Sequence, residues 1–134
     1  MINKVTTTWK SNMQFESTNP GGDLLIDAGE GEGYRPKSLM LSALAGCSGL
    51  DVVSLLKKMR AEVDDFTIDI EANLTDEHPK FYDKVNVIYN FYGSGFKKDK
   101  IEKAVKLSVD RYCGVMEMFR QFAEIKTEIQ YFEK

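Results

Sequence analysis

The stretch PKSLMLSALAGCSGLDVVSLLKKMR, residues 36–60, constrains this chain more than any other. Pro36 suits the first turn of a helix, where its missing amide hydrogen is not needed. Leu39, Met40, Ala43, Leu44, Cys47, Leu50, Leu55 and Met59 then recur at helical spacing. Little polar surface appears before Asp51, so most of the helix circumference must be covered by something other than water. A bilayer is one possible cover, because about 20 apolar residues span it. Ser42, Ser48, Asp51 and Ser54 interrupt the run, however, and lysines follow at once. The better reading is the buried core helix of a soluble protein, with no membrane partner. A single small sheet cannot surround such a helix, so a second copy of the chain is the simplest source of the missing surface, and an obligate homodimer is expected.

The flanking segments read as strands and shorter helices. NKVTTTW is β-branched and aromatic, MQFEST alternates, and DLLIDAG follows the turn signal NPGG, which predicts an antiparallel three-stranded start. AGEGEGYR is a loop leading into the long helix. Period two returns in FTIDIEANL and KVNVIYNFYG, separated by the polar TDEHPKFYD. KIEKAVKLSVDRY then places Ile101, Ala104, Val105, Leu107 and Val109 along a helix with lysines on the outer side, and Gly114 is expected to break it after Cys113. A short helix in VMEMFRQFA and a terminal strand in IKTEIQYF complete the order βββαββααβ. The fold class is α+β, with an antiparallel sheet against the long helix. At 134 residues the chain fits one domain, 1–134, with no linker or repeat.

Charge excludes some functions. Net charge is -3 and the lysines are interspersed with acids, so no footprint for nucleic acid is present. The glycines of GEGEGY alternate with glutamates that repel phosphate, and no nucleotide-binding pattern occurs. Two distant cysteines and a lone loop histidine, His78 before Pro79, make a poor metal site, and neither metal nor cofactor is expected. MINKVTTTWK lacks the apolar core of a signal peptide, so the protein is expected in the cytoplasm, where thiols stay reduced unless chemistry cycles them.

Cys47, in the middle of the long helix, and Cys113 therefore carry the functional question. Either alone would be read as a small buried hydrophobe. As a pair they suit peroxide chemistry, which needs an ionised thiol and a second thiol within reach of its sulfenic acid. Arg35, at the helix entrance, can supply positive field for a thiolate, although most loop arginines are simply solvated. Lys10 and Lys37 are weaker candidates, and Arg111 reads as a surface residue. Met116, Met118, Phe119 and Phe122 form an apolar cluster whose default role is core packing, with an acyl-accepting cavity beside Cys113 as the functional alternative.

The proline opening the long helix, the small-residue run ALAGC ending at Cys47, the EHP loop at 77–79 and the YC ending at Cys113 together resemble the OsmC/Ohr family of peroxide-stress proteins, in particular its less characterised redox-protein branch. The resemblance spans almost the whole chain. It implies an OsmC-like fold, an intertwined homodimer in which sheets wrap long buried central helices, and a thiol pair near the subunit interface. It further implies that Cys47 reacts with an organic hydroperoxide, that Cys113 resolves the product, and that a dithiol reductant reopens the disulfide. Well characterised members carry a glutamate directly after the helix-opening proline, where this chain has Lys37, and an arginine in the first hairpin, where it has Lys10. The alternative to this thiol-dependent peroxidase is a non-catalytic dimeric module that binds an apolar small molecule or acid between subunits, with both thiols idle.

Overall fold

The computed structural model describes residues 1–29 and 31–134; Glu30, in the expected loop 28–35, lies outside the described residues. Six strands and three α-helices are found among them, in an α+β arrangement of two three-stranded sheets, and the chain divides into two compact units, residues 1–40 and 41–134.

The first unit is an antiparallel meander of β1 (Thr6–Ser11), β2 (Gln14–Asn19) and β3 (Gly22–Asp27). Asn12 takes a left-handed conformation, φ 48°, at the β1–β2 turn, a role asparagine fills at little cost. Asn19 closes the next turn: its Oδ1 accepts the amides of Gly21 at 2.7 Å and Gly22 at 3.0 Å, the Asx geometry that the NPGG signal encodes. Gly33 is required after β3. Its φ is 123°, and a Cβ there would lie 2.9 Å from the Leu25 carbonyl oxygen. This close approach lets the Tyr34 amide donate to that oxygen at 2.9 Å.

The long helix α1 (Pro36–Met59) begins at the expected proline. It ends in a Schellman motif, in which the Ala61 amide donates to the Leu56 carbonyl at 2.9 Å and the Arg60 amide to that of Lys57 at 3.2 Å. Arg60 takes the left-handed position usually held by glycine, with φ 56°. The Nζ groups of Lys100 and Lys97 donate to the Met59 and Arg60 carbonyls, both at 2.9 Å, placing positive charge at the negative end of the helix. By length and composition α1 is apolar enough to cross a membrane, with a mean hydropathy of 1.8 in its most apolar window. Its polar Ser48 and Asp51, however, are engaged by hydroxyl groups of the same chain.

The sheet of the second unit has β5 (Tyr82–Gly93) at its centre, between β4 (Asp65–Leu74) and β6 (Glu124–Glu133). Pairing with β4 is antiparallel as expected, whereas β6 pairs parallel to β5, so this sheet is mixed. Parallel return is possible because α2 (Lys98–Leu107) and α3 (Gly114–Arg120) form the crossover. Along β5 the residues Val85, Val87, Tyr89 and Phe91 are buried at period two. Leu44, Ser48, Val52 and Leu56 of α1 and Ile101, Ala104 and Val105 of α2 belong to the same buried set. Gly49 admits close packing of α1 on β4, since a Cβ there would lie 3.2 Å from Ile68 Cδ1.

The segment after α2 departs from the expected uninterrupted helix. Residues Ser108–Tyr112 widen into a π-turn, closed by the Cys113 amide donating to the Ser108 carbonyl at 2.9 Å. Cys113 is itself the extended residue that ends the turn, with φ -77° and ψ 104°, and Gly114 opens α3 instead of breaking a helix.

Candidate thiol site

The second unit brings Cys47 and Cys113 together. Cys47 lies half-buried on α1, and Cys113 is buried with 4 % exposure; both are free thiols, and they are near enough for Cys47 to raise the Cys113 thiol. Local structure explains why Cys113 is held firmly. It is the N-cap of α3, and its Sγ accepts the Met116 amide at 3.3 Å, satisfying a donor that a helix N-terminus leaves free. Met116 and Phe119, fully buried, place apolar surface around it.

These surroundings make the two thiols unequal. Burial pushes the Cys113 thiol up to about 11; the Met116 amide pulls in the opposite direction, while Cys47 and then the Asp51 charge add to the rise. At neutral pH Cys113 is therefore a protonated thiol facing Cys47.

Beside the pair lies a buried polar chain. The Tyr89 hydroxyl and Ser48 Oγ are 2.6 Å apart, Ser48 Oγ and Ser108 Oγ 2.8 Å, and Ser108 Oγ donates to Asp51 Oδ2 at 3.1 Å. Ser108 has only one proton. Given to Asp51, it leaves Ser108 to accept from Ser48, which in turn accepts from Tyr89. Burial pushes the Tyr89 hydroxyl up to about 12, against the lowering effect of Ser48 and with smaller upward contributions from Cys113 and Asp51. Tyr89 therefore stays protonated and donates.

The other residues singled out in the sequence are mostly exposed. Arg35 is exposed in the first unit, where its guanidinium donates to the carbonyls of Ala28 at 2.8 Å and Gly29 at 3.3 Å. Lys10 on β1 and Lys37 in the first turn of α1 are exposed, as are His78 and Arg111, the latter 5.6 Å from the Tyr112 ring centroid. Met116 and Phe119 are core, whereas Met118 is largely exposed. Among the described residues no three His, Cys, Asp or Glu side chains gather as metal ligands. Sequence reasoning missed Ser48, Asp51, Tyr89 and Ser108. Ser48 and Asp51 gave a signal, because they interrupt the apolar run on the very helix that carries Cys47.

Comparison with known proteins places these features in a family. Protein YhfA of Escherichia coli is 29% identical over 119 residues, which cover 87% of this chain and 89% of YhfA. The crystal structure of a hypothetical protein from Aquifex aeolicus superposes with a TM-score of 0.91 at 29% identity, covering 100% of this chain and 98% of that one. The organic hydroperoxide resistance protein OhrB of Bacillus subtilis shares the fold at a TM-score of 0.69 and 18% identity, with 97% and 98% of the two chains covered. The family model described as OsmC-like protein matches residues 29–128, a span that includes both cysteines and all four members of the hydroxyl chain: this chain belongs to the OsmC-like protein family.

Proposed function

We propose that this protein reduces organic hydroperoxides with Cys47 and Cys113. The observation that carries the reading is the adjacency of two free thiols in unequal surroundings, one half-buried and one buried and protonated. The family's redox and peroxide-resistance members support it. In this scheme the Cys47 thiolate attacks the outer peroxide oxygen, the O–O bond breaks, and the alkoxide takes a proton and leaves as an alcohol. The sulfur is now a sulfenic acid. Cys113 attacks it, the S–O bond breaks, and hydroxide departs with the Cys113 proton as water. A dithiol reductant then reopens the disulfide. Burial of Cys113 favours this division of labour, because a protonated thiol does not compete for peroxide.

Arg35 is assigned the positive field that favours the thiolate, with its carbonyl partners fixing the guanidinium. The whole chain, 1–134, is read as one domain acting as a homodimer. Support for the dimer comes from α1, where Leu50 is 75% and Val53 55% exposed in one copy. The cytoplasm is the fitting compartment, since free thiols persist there.

The second reading, a binding module with idle thiols, is favoured by an apolar groove of about 420 Å³ between α1 and β4, lined by Ala45, Leu50, Val53, Phe66 and Ile68. One experiment separates the two. Fully reduced protein is mixed with excess cumene hydroperoxide and its thiols are titrated; loss of both supports the peroxidase, and two thiols that still titrate after many minutes leave the binding module in its place.

A further inference from the structure

The hydroxyl chain beside the thiols plays no part in the scheme above, and its placement is informative. Ser48 is the residue after Cys47 on α1. Ser108 begins the π-turn, and its carbonyl accepts the amide of Cys113 at 2.9 Å. The two serines are fully buried and 60 residues apart in sequence, yet their Oγ atoms are 2.8 Å from each other. Each thus ties the backbone next to one thiol to the backbone next to the other.

We propose that Ser48 and Ser108, fixed by Asp51, form a positioning clip that holds Cys47 and Cys113 at closing distance and so favours the disulfide between them. The proposal rests on the reading of these thiols as a working pair, and it adds the residues that bring them together.

Two features distinguish a clip from ordinary core packing. The first is chemical. Leu44, Val52, Val87, Met116 and Phe119 are fully buried, so the interior is apolar, and burying hydroxyl groups there is costly unless every one is partnered. Apolar side chains of the same volume would fill the space equally well, whereas directional bonds fix distance and register as packing does not. The second is local. A π-turn has lost regular α-helical register, so its position is set by what holds it, and such turns recur at functional sites. Ser108 holds its inner side twice, accepting from Ser48 Oγ at 2.8 Å and donating to Asp51 Oδ2 at 3.1 Å.

The test uses the full chain in glutathione redox buffers. Two electrons pass from Cys47 and Cys113 to glutathione disulfide, the protein disulfide forms, and two glutathione thiols are released; the equilibrium constant for closing is read by alkylation and mass spectrometry. Ser108→Ala and Ser48→Ala are expected to lower that constant about tenfold, the effect of one well-made buried hydrogen bond. Ser108→Thr, which keeps the hydroxyl, is expected to restore most of the loss. Val52→Ala, fully buried on the same stripe of α1 without a polar partner, is expected to leave the constant at the wild-type value while softening the core. Wild-type constants in both serine variants would overturn the clip, and so would a fall in Val52→Ala as large as theirs. None of these readings needs a hydroperoxide, so the clip and the peroxidase fail separately.

Discussion

α1 and α2 each lead to one of the thiols, and they are built on opposite plans. α2 shows the pattern of a surface helix: Ile101, Ala104 and Val105 face inward, and Lys103 and Lys106 face water. Its outer face needs no partner. α1 buries a single stripe, Leu44, Ser48, Val52 and Leu56, and leaves Leu50 and Val53 exposed. On α2 the polar residues are where solvent is. On α1 two of them, Ser48 and Asp51, engage the π-turn within the protein, while Leu50 and Val53 are turned to solvent beside Ser54, Lys57 and Lys58. α1 thus carries exposed apolar residues and internal hydroxyl contacts together, whereas α2 separates an apolar inner face from a charged outer one.

The largest test of this contrast removes the α1 thiol. Cys47→Ser is expected to abolish hydroperoxide consumption, because a serine hydroxyl is not ionised at neutral pH and forms no sulfenic acid. Cys113→Ser, at the end of the α2 segment, is expected to permit one turnover and leave a sulfenic acid at Cys47, seen by dimedone labelling and mass spectrometry. If Cys113→Ser instead abolishes the first oxidation and Cys47→Ser does not, the roles are reversed.

Next in size is the exposed face of α1. Leu50→Asp is expected to shift the protein to monomers in sedimentation at low micromolar concentration, because an obligate interface of roughly 2,000 Å² or more does not tolerate an unpaired charge at its centre. Leu44→Ala, on the buried stripe, is expected to cost about 3 kcal/mol by leaving a cavity, whatever the assembly. An unchanged oligomeric state in Leu50→Asp would show that the apolar face has another purpose, and the groove beside it would then be the place to look.

The sequence made α1 legible because apolar spacing and a proline at the first turn are local signals. The end of α1 was harder: Arg60 occupies the left-handed position where glycine is the usual sign, so only the backbone reveals the motif. IKTEIQYF was legible as a terminal strand but carries no information on strand direction, and the parallel pairing of β6 with β5 is settled by the crossover. Gly114 drew attention as a helix breaker although the break lies one residue earlier, where the Cys113 side chain caps α3. At the candidate site, the cysteines were visible through the family resemblance; Arg35, singled out by its place before Pro36, is an exposed residue of the first unit. Tyr89 and Ser108 were not visible. One sits in an alternating strand and the other in an amphipathic helical pattern, and their common purpose exists only once β5 and the π-turn meet α1.

A smaller effect concerns pH. The folded state raises Cys113 from its ordinary 9.0 to about 11, so it retains a proton that the unfolded chain gives up. The unfolded state then binds fewer protons, and stability falls with rising pH. This contribution is complete below pH 9 and is lost between 9 and about 11. Tyr89 adds a second loss between pH 10 and about 12. Urea unfolding of reduced protein should therefore show a decline beginning near pH 9, and Cys113→Ala should flatten it between pH 9 and 10, before Tyr89 contributes. An equal decline in that variant would assign the limb to other groups.

The smallest expected effect lies on the outer side of the π-turn. Lys106 on α2 and Asp110 in the turn form an ion pair at 2.6 Å, with both side chains more than half exposed, and the lysine holds the Asp110 carboxyl below its usual range. Solvent and salt screen such a pair, and ordering two flexible side chains offsets much of the attraction. Lys106→Ala is therefore expected to leave both the melting temperature and the glutathione closing constant unchanged. The Arg120 guanidinium, which donates to the Val109 carbonyl, gives the turn a further outer tie that survives this substitution. Ser108→Ala removes only a hydroxyl, from a residue two positions after Lys106, yet it should lower the closing constant about tenfold. If Lys106→Ala lowers that constant as far as Ser108→Ala does, the turn is held from its solvent side, and the contrast between the charged face of α2 and the hydroxyl-bearing face of α1 loses its meaning for the thiols.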